Sequence, residues 1–375
     1  MEDLSSEQRA LLMLRLRRNR ASKQTRAPGG PPAISPVPRD GGLPLSFAQH
    51  RMWFLHQLDP ESAAYHITTA IKFKGELNVS ALERSLNGII GRHEVLRTTF
   101  SWADGQPAQV IAPAMSINLP VVDLSEIGEE ERAAEIRRLS IDEARMPFDL
   151  ERGPLCRVTL LKAGREEHVM LGTTHHIVYD GWSVGVFTKE LAAFYESSIS
   201  GKALDLPELS AQYADFACWQ RQWLTGEALE AQIRYWKEQL GDSSIALNLP
   251  SDRPRPALQT YRGRARSLEL PSDLSSSLQA LSVREGVTLF MLLLAALKAL
   301  LFRYTGQGDI RLAIPVSNRN HPEIEGLIGF FSNTLVLRTE IGDDPTFLEL
   351  LQRERKVVLG ALAHQDLPFE KLVEL

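Results

Sequence analysis

Two adjacent histidines, followed within five residues by an aspartate and a glycine, are the most chemically informative feature of this sequence. They are His175, His176, Asp180 and Gly181. A neutral imidazole titrates near neutral pH and can accept a proton from an attacking amine. Because neighbouring side chains of an extended chain point to opposite faces, we expect one histidine to be packed and the other to face a cavity. Asp180 can organise the turn or pair with a cation, and Gly181 lets the backbone turn where a Cβ would clash.

Two other interpretations apply to the same residues. Paired histidines beside an aspartate could be metal ligands. However, adjacent histidines diverge in an extended segment, and no third His or Glu follows at helical ligand spacing, so we predict no metal site. The histidines could also be hydrogen-bonded structural residues, because short motifs match by chance often. Taken alone, the motif leaves that second alternative open.

The elements around the histidines alternate between strand and helix. Apolar, β-branched runs predict strands at 155–161 and 168–174, with a polar turn between them, and a third strand at 310–316. After the histidines, Ser183 is the predicted N-cap of a helix. The histidines therefore lie on a loop between a strand and a helix, where side chains are exposed at a sheet edge.

Two more helices are predicted further along the chain. Ser80 and Glu83 have capping-box spacing ahead of an apolar stripe. Thr288 begins an apolar helix that reaches Phe302 and contains Lys298, which indicates a buried helix and not a membrane span. Strands mixed with helices of this length predict the α/β fold class.

Composition narrows the function classes. The 375 residues are 43% hydrophobic, enough for a large core in two domains or lobes. The net charge is -5, which gives no indication of a nucleic acid or an anionic membrane as partner. Cys156 and Cys218 lie far apart and form no disulfide framework, and residues 1–30 lack the apolar core and cleavage site of a signal peptide, so we predict a cytoplasmic protein.

The first 44 residues differ from the rest in composition. Residues 1–26 predict a basic helical extension, which is either a solvated helix or a docking element for a partner protein. Residues 27–44 are rich in proline and glycine, a composition that disfavours helices and sheet pairing, so we predict a linker.

The histidine segment resembles one motif of a known family. It matches the HHxxxDG signature of condensation domains from nonribosomal peptide synthetases. Five more segments resemble the other motifs of that family, in the expected order, and a chance match of six ordered motifs is very improbable. These segments are 46–55, 92–100, 213–219, 328–335 and 364–372.

The resemblance implies a fold like that of chloramphenicol acetyltransferase, with two similar α/β lobes in a V and a tunnel between them. We assign residues 45–205 to the N-terminal lobe and residues 206–375 to the C-terminal lobe. The family's domain ordinarily continues past the sixth motif. We therefore expect the second lobe to be incomplete, with a sheet that lacks strands and the helix at 288–302 partly uncovered.

The resemblance also implies an acyltransferase reaction, in which a carrier-bound aminoacyl amine attacks an upstream carrier-bound acyl or peptidyl thioester. The expected partners are donor and acceptor peptidyl carrier domains, whose phosphopantetheine arms deliver the substrates, and an adenylation domain in the same full-length protein. No cofactor is expected on the chain itself. His176 matches the reaction-centre histidine, as general base or positioning group, and His175 matches a more structural one. Gly181 matches a glycine whose N–H could hold the oxyanion.

Asp180 needs a partner, because a buried carboxylate without one is costly. We predict Arg319 as its partner, with Arg97 and Arg92 as alternatives. Four further residues are candidates for lining the tunnel, although buried hydrogen bonding is an equal alternative for the last two. They are Trp182, Ser183, Asn333 and Thr334.

Two alternatives to an amide-forming domain stay open. Epimerisation domains share HHxxxDG, although residues 180–183 and the first motif look most like domains that accept an L-configured donor. A noncatalytic platform for carrier proteins is the other alternative. Intact His176, Asp180 and Gly181 argue against that platform.

Overall fold

The structure, a computed structural model, describes residues 31–103, 105–241, 246–254, 263–342 and 344–374. The chain divides into two units, residues 1–34 and residues 35–375. The predicted basic helix at 1–26 and the start of the predicted linker lie outside the described residues. The elements below all belong to the second unit.

Strands in the described residues form three sheets. The strands are β1 (Leu43–Pro44), β2 (His66–Lys74), β3 (Thr98–Ala103), β4 (Gln106–Ile111), β5 (Val121–Asp123), β6 (Cys156–Lys162), β7 (Glu167–His175), β8 (Asp309–Val316) and β9 (Asn333–Glu340). The strand orders in the sheets are β1-β4-β3, β2-β7-β6-β5 and β8-β9, and only the β5–β6 pair is parallel. The strands predicted at 155–161, 168–174 and 310–316 are confirmed as β6, β7 and β8.

The four-stranded sheet fixes the position of the two histidines. Strand β7 lies between β2 and β6, and its last residue, His175, is opposite His66 of β2. The next amide, His176 N–H, donates to Tyr65 O at 2.8 Å. The chain then turns away as a short 3-10 helix, His176–Val178. The histidines therefore lie on either side of the end of a strand that is paired along both edges.

The helices complete a mixed α/β fold, as predicted. No single helix among the described residues is long and apolar enough to cross a membrane, and the helices Ser272–Arg284 and Leu289–Thr305 reach that length and apolarity only as a pair, with a bend of 103° between them. The helices are α1 (Phe47–Leu58), α2 (Val79–Arg92), α3 (Glu129–Arg145), α4 (Gly181–Ser200), α5 (Tyr213–Trp223), α6 (Gly226–Leu240), α7 (Ser272–Arg284), α8 (Leu289–Thr305), α9 (Pro322–Glu325), α10 (Phe347–Ala363) and α11 (Phe369–Val373).

Two predicted helix starts are wrong by one turn or less. Helix α4 begins after Asp180, whose carboxylate accepts from Ser183 N–H at 2.9 Å, so Ser183 is inside the helix. Helix α2 begins after Asn78, and Ser80 lies in its first turn. Asp, Asn and Ser all cap helices well, so residue type alone does not choose among neighbours. The predicted cap Thr288 of α8 is confirmed.

The end of the predicted linker is part of the fold. Val37 N–H donates to Asp215 at 2.8 Å, and the Arg39 guanidinium lies 2.7 Å from the same carboxylate. Leu43 and Pro44 pair with β4 as an edge strand. The prediction that this segment forms no sheet pairing is therefore wrong for Leu43 and Pro44. An edge strand tolerates proline, because one side of its ladder is unused.

Helix α8 has one buried face and one exposed face. On the buried face Lys298 is 0% exposed, and its ammonium lies 3.0 Å from the Glu354 carboxylate and 2.8 Å from Thr339 Oγ1. The adjacent sheet has two strands, β8 and β9, in the described residues. Apolar side chains on the opposite face are 44–52% exposed, so the helix is partly uncovered, as expected. They are Phe290, Leu293, Leu297 and Leu300.

Candidate active site

His175 lies on the packed side of the strand end. Its side chain is 3% exposed, and its Nδ1 accepts the Ile177 N–H at 3.1 Å. Its ring lies edge-on to the rings of His66 and His56, with centroids 5.9 and 6.1 Å away. Burial, with the neighbouring histidines, lowers the pKa of His175 to about 3. The imidazole is therefore neutral near neutral pH, and its surroundings are those of a structural residue.

His176 has the opposite environment and is only partly buried. Its Nδ1 lies 2.7 Å from the Tyr179 carbonyl oxygen. A carbonyl can only accept, so Nδ1 carries the proton and Nε2 of the neutral ring holds a lone pair. The Phe330 ring packs against the imidazole with centroids 4.3 Å apart. The divergence expected for the two adjacent histidines is therefore present.

Asp180 is fully buried and connects residues 175–181, here called the histidine loop, to the C-terminal half of the chain. Its Oδ1 lies 3.1 Å from Arg319 Nη2, and both side chains are 1% exposed or less. Its Oδ2 accepts from Phe331 N–H at 3.1 Å. Burial lowers the pKa of Arg319, and the adjacent Asp180 carboxylate counteracts that effect. With Ser183 as a further donor, this carboxylate holds the loop in place and is not the partner of a histidine.

The other two candidate arginines lie elsewhere. Arg92 Nε is 2.9 Å from Glu190, which also bonds to His93 at 2.8 Å. Arg97 contacts the Ala112 carbonyl oxygen. Of the three arginines considered for Asp180, the structure thus places Arg319 beside it.

The backbone of residues 327–331, here called the bridging segment, is held by side chains from far away in sequence. Its four non-glycine side chains are 2% exposed or less. It therefore connects the C-terminal half to the histidine loop. The contacts are Ile328 N to His93 Nδ1 (3.3 Å), Gly329 N to Ser183 Oγ (3.0 Å), Phe330 O to Tyr213 Oη (2.6 Å) and Phe331 N to Asp180 Oδ2 (3.1 Å).

Gly181 is the first residue of α4, and the reason predicted for it is wrong. A Cβ at this position would meet no atom within 4 Å. The position is therefore open and not crowded. The first amides of a helix have no acceptor inside the helix. The Gly181 N–H is one of these amides and can donate to a ligand.

The four tunnel candidates separate into different environments. Trp182 is 42% exposed and donates from Nε1 to the Glu325 carbonyl at 2.9 Å. Ser183 is 0% exposed and its hydroxyl donates to Asp180 at 2.7 Å, so its place in a tunnel lining stays a prediction. Asn333 donates to the carbonyls of Gln365 and Leu367 at 2.8 and 2.7 Å, which is the buried hydrogen-bonding alternative. Thr334 is partly buried.

Residues that sequence reasoning missed are Phe330, which contacts His176, and Tyr213, whose hydroxyl donates to Phe330 O. The signal available was the pair of aromatic residues after Gly329 in the fifth motif. In the part of the chain that the structure describes, no group of three or more His, Cys, Asp or Glu is arranged to hold a metal ion. The site offers an imidazole whose Nε2 can accept a proton, five residues before Gly181, the first residue of α4.

The sequence matches known proteins over most of its length. Residues 40–375 match the family model described as "Condensation domain". The chain is 52% identical over 341 residues to one of the linear gramicidin synthase proteins of Brevibacillus parabrevis, a match that covers 91% of this chain and 4% of that protein. It is 46% identical over 342 residues to malpinin synthetase of Mortierella alpina, covering 91% of this chain and 4% of that protein. The chain thus spans a small part of the curated relatives that it matches.

Solved structures show the same fold. The X-domain in its complex with OxyB from teicoplanin biosynthesis has a TM-score of 0.81 and 32% identity, covering 92% of this chain and 75% of that one. The first condensation domain of the calcium-dependent antibiotic synthetase has a TM-score of 0.77 and 24% identity, covering 90% and 78%. The predicted chloramphenicol-acetyltransferase-like fold is therefore confirmed, and the V arrangement of two lobes stays a prediction.

A family match that extends over the histidine loop, the bridging segment and Arg319 accounts for the motifs and for the fold alike. The chain therefore belongs to the condensation-domain family of nonribosomal peptide synthetases.

Proposed function

We propose that this chain forms an amide bond between two carrier-bound substrates, with His176 as its catalytic residue. Condensation domains are acyltransferases that form peptide bonds. The observation that carries the proposal for this chain is the hydrogen bond from His176 Nδ1 to Tyr179 O, at 2.7 Å. Because that bond holds the proton on Nδ1, Nε2 is left as an acceptor on a partly exposed ring.

The reaction needs one proton acceptor and close approach of the two ends. The acceptor amine attacks the thioester carbonyl carbon and forms the C–N bond, while Nε2 of His176 takes a proton from the nitrogen. The C–S bond then breaks, and the departing thiolate takes up that proton. Much of the acceleration comes from holding the two tethered ends together, because a thioester is already activated.

The Gly181 amide is the proposed donor to the developing oxyanion. It lies at the N-terminus of a 20-residue helix, where backbone N–H groups and the helix dipole favour negative charge. The absence of a Cβ leaves the approach to this amide open. Asp180 and Arg319 would hold this end of the helix in position.

The partners and the subtype belong to the same proposal. The donor and acceptor substrates would arrive on phosphopantetheine arms of two peptidyl carrier domains, with an adenylation domain in the same full-length protein. An L-configured donor is proposed from residues 180–183 and the first motif. A cytoplasmic location agrees with this assignment.

A protein-binding platform without catalysis is the second candidate. Its support is the likeness to the X-domain, whose structure was determined in complex with OxyB. An epimerisation domain, which shares HHxxxDG, is the other alternative within the family. Each of the three functions predicts a different outcome when the protein is mixed with loaded carrier proteins.

The test mixes loaded donor and acceptor carrier proteins with a version of the protein that spans the complete domain. We expect amide product from wild type and a loss of at least about 100-fold in His176→Ala. His175→Asn, which keeps an acceptor near Ile177 N–H, is the matched control and should mainly lower thermal stability. Binding without product would favour the platform. Inversion of a carrier-bound residue without an acceptor would favour epimerisation. Near-wild-type turnover in folded His176→Ala would overturn the catalytic role.

A further inference from the structure

We propose that Phe330 is a positioning residue that fixes the orientation of the His176 imidazole, and that Tyr213 holds Phe330 in place. The Phe330 and His176 rings lie with centroids 4.3 Å apart and planes at 53°. Phe330 is 2% exposed, so its ring has little freedom to move. This inference rests on the proposed function for its effect on catalysis, whereas the ring contact itself is independent of it.

Two contacts together restrict the imidazole. The bond from Nδ1 to the Tyr179 carbonyl fixes one edge of the ring, but it leaves rotation about that edge. The Phe330 ring lies against the imidazole and blocks part of that rotation. The direction of Nε2 is then set. A catalytic group misplaced by about 1 Å loses on the order of 100-fold in rate, so the orientation of Nε2 matters.

Phe330 is held through its own backbone. The Tyr213 hydroxyl donates to Phe330 O at 2.6 Å and lies 2.8 Å from Ser46 Oγ. Burial raises the pKa of the Tyr213 phenol, which therefore keeps its proton as a donor. A Cβ on Gly329 would lie 2.2 Å from the Tyr213 ring, so only glycine lets the backbone approach Tyr213 this closely.

The neighbouring phenylalanine has a different role. Phe331 packs on the Tyr213 and Phe216 rings, both with centroids 4.8 Å away, and Arg319 lies 4.1 Å from its ring centroid. Successive side chains of the segment therefore point apart, one into the core and one onto His176. Simple core filling explains Phe331, but it does not explain an aromatic ring placed on the catalytic imidazole.

The first test observes the imidazole directly. Histidine Cε1 is labelled with carbon-13 in the 375-residue chain, and the His176 signal is assigned by its loss in His176→Gln. In Phe330→Leu, removal of the ring should move the His176 signal more than that of any of the other eight histidines among the nine in the chain. Phe100→Leu, at a 0% exposed site in β3, is the control for general core loss. A His176 signal that moves no more than in Phe100→Leu overturns the proposal.

The second test separates positioning from binding. Phe330→Leu should lower kcat by about 10- to 100-fold and leave KM for the acceptor carrier unchanged. A rise in KM with kcat retained would overturn the positioning role. If wild type makes no amide, the proposed function fails, and the His176 signal still decides whether Phe330 orients the ring. If Phe330→Leu does not fold, Tyr213→Phe replaces it. The expected change has the same direction, and an unmoved His176 signal there overturns the proposal.

Discussion

The carboxylate of Asp180 receives hydrogen bonds from both halves of the chain while it is fully buried. Asp180→Ala would leave the Arg319 guanidinium buried without its counter-charge. We expect a loss of about 3–5 kcal/mol in the free energy of unfolding, measured by urea denaturation. Asp180→Asn, which keeps an acceptor for Ser183 N–H, should cost less. A loss under about 1 kcal/mol in Asp180→Ala would show that the pair does not stabilise the fold.

His175 makes stability depend on pH. Burial lowers its pKa from 6.5 to about 3, so the folded state holds it neutral while the unfolded chain binds a proton below pH 6.5. Its contribution is therefore complete above about pH 6.5 and falls as the pH is lowered towards 3, by up to about 1.4 kcal/mol per pH unit.

His175→Asn should flatten this dependence, because asparagine does not titrate. The measurement is the free energy of unfolding between pH 7 and pH 4, for both proteins. Burial lowers the pKa values of His56 and His66 as well, so some dependence should persist in the variant. Equal slopes in the two proteins would show that His175 is not the group responsible.

The residue types at the site could be predicted from sequence, but their contacts only in part. The need for a cation near Asp180 follows from the cost of burying a carboxylate, and this led to Arg319. The contact between Phe330 and His176 joins residues 154 positions apart and depends on how the bridging segment crosses the sheet end. No local pattern reports such a contact.

Lys298 of helix α8 and Glu354 of helix α10 form a charge pair inside an apolar core. Lys298 and Glu354 are both 0% exposed, and burial lowers the pKa of Lys298. Lys298→Met alone would leave the Glu354 carboxylate buried without its counter-charge. This should lower the free energy of unfolding by about 3–5 kcal/mol. Lys298→Met combined with Glu354→Leu should recover most of that loss, as measured by thermal unfolding. Additive losses in the double variant would contradict this account.

Sequence periodicity predicted elements well and their starts less well. Helix α8 and strands β6 to β8 follow from long apolar runs. The start of α4 was misplaced because Asp180 and Ser183 are both good caps. Asp180 is the cap because its carboxylate is also fixed by Arg319, and that is a tertiary contact. Strand β1 was missed because two residues carry no periodic signal.

At the scale of the whole molecule, the first 44 residues separate into two parts. Deleting residues 1–33, which keeps the buried Ile34, should leave the melting temperature nearly unchanged. Deleting residues 1–44 would also remove the Arg39–Asp215 pair and β1, and should lower it by several degrees.

Transfer from the upstream carrier provides the second measurement on these deletions. If residues 1–26 are a docking element, deletion of 1–33 should slow that transfer at low salt. Equal transfer rates with and without the segment would show that residues 1–26 are an extension without a docking role. Equal melting temperatures for the two deletions would show that residues 34–44 do not stabilise the fold.

Fold class was predictable at this scale because strands and helices alternate along the chain. The way in which the two halves of the domain pack against each other was not predictable. That arrangement depends on buried contacts between the histidine loop and residues 319–332, which sequence spacing does not reveal.

The bridging segment has a consequence for hybrid synthetases made by exchanging one half of this domain with that of a relative. In this segment, the first half accepts hydrogen bonds mostly from backbone amides of residues 328–331. The accepting side chains are those of His93, Asp180 and Ser183. Backbone amides are the same in every donor sequence. A transplanted second half should therefore dock correctly if it keeps an arginine at 319, a glycine at 329 and the few side chains that the first half contacts directly, such as Asp215 and Tyr213.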